Sequence, residues 1–200
     1  MKKIIPVLLC LLVFSGYAQQ QKNKLVNVFL GTSGDHGQMS PSATTPFNMM
    51  NLGPQTNPHQ HTGYEYYAKK FEGFTHTRME GVGCTGSGGN ILIKPILFAD
   101  VETELIRTTQ QATPGYYHVN FKNGIDAQMT VAQNLGMHNY SFPNSNGGLY
   151  IDLSFVLSNR FVSENHEIRR NLISGYVDTK TTCHAGTYRI YYSIKLPETA

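Results

Sequence analysis

Residues 117–131 read YHVNFKNGIDAQMTV, and this stretch decides the fold. Tyr117, Val119 and Phe121 alternate with polar residues. After Asn123-Gly124 the alternation resumes with Ile125, Ala127, Met129 and Val131. Successive strand side chains point to opposite faces, so each half offers one apolar face and one polar face. Asn-Gly between two such segments is the strongest short-range hairpin signal, because a type I′ turn needs positive φ at both central positions. The expectation is an antiparallel hairpin closed by that turn.

The same pattern continues on both sides. Toward the C-terminus, His138, Tyr140 and Phe142 alternate before Pro143, and an Asn/Ser/Gly cluster up to Gly148 reads as a turn. Residues 149–157, 173–177 and 188–196 follow as strands, and the polar stretch 158–170 as a loop or an edge. Toward the N-terminus, 102–111 suits an outer strand, and 91–98 is a nearly continuous apolar run suited to a strand buried on both faces. Residues 47–52 precede Gly53-Pro54 and read as a strand closed by a turn; 25–30 is a short strand candidate. Residues 55–63 read as a loop carrying His59 and His61, a spacing able to bind a metal but with no third ligand nearby. Tyr64, Tyr66 and Tyr67 suit either a stacking platform or ordinary packing. No apolar stripe at helical spacing occurs. The fold class is all-β, an antiparallel β-sandwich.

Two glycine-dense loops interrupt the strands. Residues 73–95 read GFTHTRMEGVGCTGSGGNILIKP, with six glycines from Gly73 to Gly89 and the polar residues His76, Arg78, Glu80, Cys84 and Asn90. Residues 31–43 read GTSGDHGQMSPSA, with His36 at the centre. Each alone is an ordinary connection; together they suggest a polar rim, since glycine lets the backbone come close to a ligand.

Composition restricts the function. Lys2 and Lys3, the apolar run Ile4 to Phe14 and the small-residue site Gly16-Tyr17-Ala18 form an export signal over residues 1–18, leaving 19–200 as one domain in the periplasm or outside the cell. No later run approaches the roughly 20 apolar residues of a membrane span. Removing the two lysines from the formal charge of +3 leaves about +1, and no Lys/Arg run tracks phosphates, so nucleic acid is excluded as a partner. With charged residues at 14% and Tyr at 12, the surface is polar mainly through neutral groups, which suits sugars. Cys84 and Cys183 remain after export, and one such pair is a weak disulfide signal.

The ordered segments VNVFLGTSGDHGQMSPSATTPFNMMNLGP, GYEYYAKKFEGFTHTRMEGVGCTGSGGNILIKP and ATPGYYHVNFKNGIDAQMTVAQNLGMHNYSFP resemble the N-terminal domain of glycoside hydrolase family 92, exported exo-acting α-mannosidases. The resemblance runs from about Leu25 to about Leu196. It implies a β-supersandwich of the galactose-mutarotase-like kind packed on a larger (α/α)6 barrel, and an inverting mechanism with a calcium ion on the mannose hydroxyls. Inversion needs one carboxylic acid to protonate the leaving oxygen and a carboxylate to activate water on the other face. By resemblance both, with most of the calcium site, lie in the barrel, so no catalytic residue and no cofactor is assigned to this chain. His36 matches the family's Gly-rich loop, His76 and Arg78 match a Ser/Thr-His-Thr-His stretch, and Cys84 matches a cysteine of some members. With Glu80 and Asn90 these are the candidate substrate-binding residues, toward a mannose-containing glycan. The chain departs from the family in having no Trp, in Arg78 for the second histidine and in Asn90 for an acidic residue. It stops at Pro197-Glu198-Thr199-Ala200 after a strand, an ending compatible with a truncated product whose barrel is supplied in cis or in trans. The alternative is a free-standing carbohydrate-binding module.

Overall fold

The computed structural model describes residues 23–34, 38–81 and 88–198. The proposed export signal, His36 and Cys84 lie outside the described residues. Twelve strands follow in order: β1 (Ala43–Thr44), β2 (Asn51–Asn57), β3 (Lys70–Thr75), β4 (Leu92–Leu97), β5 (Leu105–Thr113), β6 (Tyr116–Phe121), β7 (Asp126–Ala132), β8 (Leu135–Ser141), β9 (Gly147–Asp152), β10 (Phe161–Arg169), β11 (Leu172–Lys180) and β12 (Thr187–Lys195). Every pairing between them is antiparallel, so the all-β sandwich class holds.

Nine strands form the main sheet, in the path β1-β2-β3-β5-β6-β7-β8, with β4 and β9 branching from β3. The branch is local to one strand. Lys70 and Phe71 of β3 pair with Ile106 and Leu105, whereas Phe74 pairs with Ile93. Between them sits Gly73 at φ +151, where a Cβ would lie 2.8 Å from the Ile93 carbonyl oxygen. The fork therefore needs a residue without a side chain.

Beyond the fork the β5–β8 wing curls back over β2 and β3. Phe71 meets Phe121 with ring centroids 5.4 Å apart, and Phe74 meets Tyr140 at 6.1 Å. Leu52, Leu105, Tyr117, Val119, Ile125, Ala127 and Met129 complete a continuous buried core. Tyr64 belongs to it too, fully buried, and its hydroxyl and that of Tyr117 both donate to Gln110 Oε1 at 3.0 and 2.9 Å. Burial pushes the Tyr64 phenol up to about 12. A second sheet, β10-β11-β12, lies beside the 88–92 segment. Backbone bonds from Leu157 to Gly88 (3.2 Å) and from Ile91 to Phe155 (3.0 Å) fix that segment against the connection leading into it.

The central hairpin is β6–β7, in register Val119 with Ala127 and Tyr117 with Met129. Its turn differs from expectation. Gly124 has φ 86 but Asn123 is not in the positive region, so the loop is a turn closed by Gly124 N–H to Phe121 carbonyl (3.0 Å), followed by one left-handed glycine. Asn123 turns its side chain to the Ile125 N–H and the Glu104 carbonyl instead.

Two further readings shift. Residues 25–30 form turns, with Val26 and Leu30 donating to Asn23 and Asn27 carbonyls, and among the described residues no strand pairs with them. The strand placed at 47–52 lies instead at 51–57, passing through Gly53-Pro54. A proline fits there because β1 pairs only Asn51 and Leu52, leaving the rest of that edge without a ladder. The ambiguous 158–170 stretch is the edge strand β10. Cys183 is disulfide-bonded, and the other two cysteines, Cys10 and Cys84, lie outside the described residues.

Phe74 joins the fork to the curled wing, so Phe74→Ala is expected to cost about 3–5 kcal/mol, the scale for emptying a buried aromatic site. Leu135→Ala on the exposed face of β8 is expected within about 0.5 kcal/mol of wild type. Urea midpoints of the two variants check this.

Candidate functional site

The two glycine-dense loops meet. Gly81 N–H donates to the Gln38 carbonyl at 2.8 Å, and Glu80 takes the Ser40 N–H at 3.0 Å as well as the Ser40 hydroxyl. Asn51 Nδ2 adds a third donor to the same carboxylate at 3.2 Å. Glu80 is thus the clamp between the loops, and bonds to a carboxylate are the stronger kind. Met39 and Met79 precede Ser40 and Glu80, Met49 lies two residues before Asn51, and all three are exposed. The two loops expected to act together are thus in polar contact, with methionines beside the contact.

Arg78 points inward. It donates to Thr75 Oγ1 (3.0 Å), the Thr62 carbonyl (2.7 Å) and the Gly53 carbonyl (3.2 Å), tying β2, β3 and the 58–63 loop together. Burial pushes its pKa down to about 10, and the Glu80 carboxylate opposes that push. Its five donors suit this bolt, whereas a histidine at the same place offers at most two.

His76 lies just beyond β3 and builds a relay the sequence did not reveal. Its Nδ1 is 2.9 Å from the Ile91 carbonyl, its Nε2 is 2.8 Å from His138 Nε2, and His138 Nδ1 is 2.8 Å from the Tyr140 hydroxyl. A carbonyl only accepts, so His76 carries its proton on Nδ1 and its Nε2 accepts. His138 then donates from Nε2, and its Nδ1 accepts from the Tyr140 hydroxyl. Every proton in the row is fixed by a backbone oxygen. One added proton can enter if His138 changes tautomer and Tyr140 becomes the acceptor. A second would set two N–H groups against each other at 2.8 Å. Burial holds both imidazoles below their ordinary value, with Arg78 adding to the effect on His76 and His76 on His138.

Asn90 is 1% exposed. Its Oδ1 accepts from Thr77 Oγ1 at 2.7 Å and from the Tyr188 hydroxyl of β12 at 3.0 Å, which joins the two sheets. Its Nδ2 is buried with no partner. Turning the amide over merely transfers the deficit to the oxygen, since both hydroxyls lie at the other end. A buried amide half unused is costly unless something fills it. Beneath it, Gly88 has φ +70 and its absent Cβ would lie 2.0 Å from the Thr77 carbonyl oxygen.

The site thus gathers His76, Arg78, Glu80 and Asn90 around one loop, with Ser40, Thr77, His138, Tyr140 and Tyr188 as partners that the sequence reading did not assign to it. The alternation of His138 and Tyr140 marked their shared face, but not the His76 facing them. His59 and His61 fall in an irregular loop, where His59 Nδ1 lies 3.2 Å from the Gln60 carbonyl. Among the described residues no three His, Cys, Asp or Glu side chains gather to hold a metal ion. The donor set does not fit calcium: Glu80 is taken up by Ser40 and Asn51, and Glu65 by Ser33, Gly34 and Tyr67. No helix among the described residues is long and apolar enough to cross a membrane.

Two outcomes are expected. Glu80→Gln should loosen the clamp by about 1–3 kcal/mol, read as faster amide exchange at Ser40 and Gly81. For the histidines the fold binds fewer protons than the unfolded chain below about pH 6.5. Stability is therefore full above that pH and falls as the pH drops toward the depressed folded-state values. Thermal midpoints from pH 7 to 5 should fall more steeply in wild type than in His138→Gln.

Comparison with known proteins follows the same lines. Residues 25–200 match the Glycosyl hydrolase family 92 N-terminal domain. The solved structure of the family glycosyl hydrolase ccman5 is similar, at 30% identity and TM-score 0.76, over 86% of this chain and 26% of that one. So is a family α-mannosidase of Bacteroides thetaiotaomicron solved with mannoimidazole, at 26% identity and TM-score 0.73, over 86% of this chain and 24% of that one. An uncharacterized secreted glycosidase of Arthroderma benhamiae is 26% identical over 136 residues, 62% of this chain and 18% of its own length. The chain thus spans about a quarter or less of the length of these relatives.

Proposed function

The chain belongs to glycosyl hydrolase family 92, as its N-terminal domain, and from that premise we propose that it shapes the sugar pocket of an exported, inverting, calcium-dependent α-mannosidase without supplying the chemistry. The observation that carries this reading is the Asn90 amide, buried in the rim with one end unspent. A sugar hydroxyl both donates and accepts, so it can satisfy either end of that amide. The clamp at Glu80 holds the two loops in one arrangement beforehand, which lowers the ordering cost of binding.

In this reading the carboxylates that protonate the leaving oxygen and activate water belong to the remainder of the enzyme, and so does the calcium ion. His76, Arg78 and Glu80 position the loops, and His36 and Cys84 lie on the same two loops in sequence. The exposed methionines beside the clamp suit docking of a partner domain, because a thioether adapts to an irregular surface. That partner is the (α/α)6 barrel, in cis or in trans. Residues 1–18 serve as the export signal, in keeping with a secreted relative.

The test uses both forms of the protein. The 200-residue chain alone is expected to leave an aryl α-mannoside intact, and turnover free of contaminating hydrolase would refute the assignment. Joined to a family barrel, Asn90→Ala should raise KM for an α-mannobioside about tenfold, the loss of one to two hydrogen bonds. An unchanged KM removes Asn90 from the pocket.

A further inference from the structure

A second surface lies on the other side of the small sheet. In β12 the residues alternate, so Tyr188 points toward Asn90 while Arg189, Tyr191, Ser193 and Lys195 share the opposite face. The register sets Tyr191 beside Tyr176, and Tyr176 beside Asn165. The next row one way is Arg189, Asp178 and Ser163; the next the other way is Ser193, Ser174 and Glu167. Tyr191 is 74% exposed at the centre of this face.

The face is rigid before anything binds. The Arg189 guanidinium lies 3.8 Å above the Tyr176 ring and grips Asp178 through Nε at 2.7 Å and Nη2 at 2.8 Å. Ser163 Oγ adds a bond to the same carboxylate at 2.8 Å. The Tyr176 and Tyr191 rings stand edge to face, centroids 6.0 Å apart. Two rings, a planar cation and a carboxylate therefore hold one another in place.

Its charge is cancelled locally. Arg189 is matched by Asp178, and Arg169 by Glu167 at 3.0 Å, leaving Lys180 at one end of the face and Lys195 at the other. A phosphate, a polyanion or an acidic peptide finds no spare cation at the centre. What the face offers is an open aromatic ring bordered by Asn165, Ser174 and Ser193. That combination matches a neutral pyranose chain, whose ring faces are apolar and whose edges carry hydroxyls. Same-face rows recur about every 6.7 Å along a strand, so three rows accommodate a linked oligosaccharide in preference to one ring.

We propose that the Tyr176–Arg189–Tyr191 face of the small sheet is a surface site for neutral oligosaccharides, separate from the Asn90 rim. It holds glycan near the protein and carries no reacting group. This face offers the site by itself, whether or not the rim lines a mannoside pocket.

The test is titration of the 200-residue chain with mannotriose, followed by two-dimensional NMR, with thermal midpoints confirming that each variant folds. Tyr191 and its neighbours are expected to shift. Tyr191→Ala should weaken binding about tenfold, the scale of one aromatic contact. Arg189→Lys should weaken it as well, because lysine keeps the charge and loses the planar stack. Asn90→Ala should leave it unchanged. A flat titration of the wild type overturns the proposal, and so does equal binding by wild type and Tyr191→Ala. Loss of binding in Asn90→Ala alone moves the sugar to the rim, which overturns this site and leaves the pocket reading standing. A sulfated trisaccharide binding more tightly than mannotriose also overturns it, since the face would then be reading charge.

Discussion

Strand β3 has two neighbours on one edge, and the rest of the architecture depends on how that edge is divided. Its first residues pair with β5, its later ones with β4, and Gly73 stands where the two partners diverge. A flat sheet has no room for both. The β5–β8 wing therefore bends away and folds back, which lets a single sheet cover its own apolar face. Phe71 and Phe74, on either side of the glycine, meet Phe121 of the returning wing, and His138 arrives over the end of β3 for the same reason. The candidate site sits at the end of the strand where the fork opens.

Hydrogen-bond supply distinguishes the roles of the polar residues around that end. The Arg78 guanidinium is committed to two backbone carbonyls and a threonine, and the Glu80 carboxylate to a backbone amide, a hydroxyl and an amide side chain. Breaking any of these to reach a ligand leaves a buried group short, a cost comparable to what the new bond returns. Asn90 is in the opposite position, since one end of its amide has nothing to give up. Of the described candidate sugar-binding residues it is the one with an unspent end; in the clamp, Asn51 Oδ1 is likewise buried without a partner.

Much of the strand pattern was legible because it depends on period-two alternation, which is local. The β6–β7 hairpin was placed from Tyr117 to Val131 by that rule, and the β8 face from His138 and Tyr140. What failed depended on absent or distant neighbours. Residues 25–30 are apolar but among the described residues have no strand beside them, and Pro54 reads as a break until the two-residue length of β1 is known. Asn123 showed that a turn would form but not its type, since its side chain found the Glu104 carbonyl nineteen positions away.

The site was legible to a smaller degree for a related reason. Residue type marks Arg78, Glu80 and Asn90 alike as able to grip a sugar, and sequence has no access to what each already holds. Ser40 is forty residues from Glu80, His138 sixty-two from His76 and Tyr188 ninety-eight from Asn90. These separations follow from the fork, which brings early loops, the returning wing and the second sheet to one place. A substitution at the fork therefore reaches the relay at His76 and the Asn90 contact together, although Gly73 touches neither. The same logic separates the rim from the Tyr191 face: both belong to β12 through neighbouring residues, yet a strand's pleat turns Tyr188 inward and Tyr191 out. One strand can then serve the interior junction and an outer surface without either constraining the other's side chains.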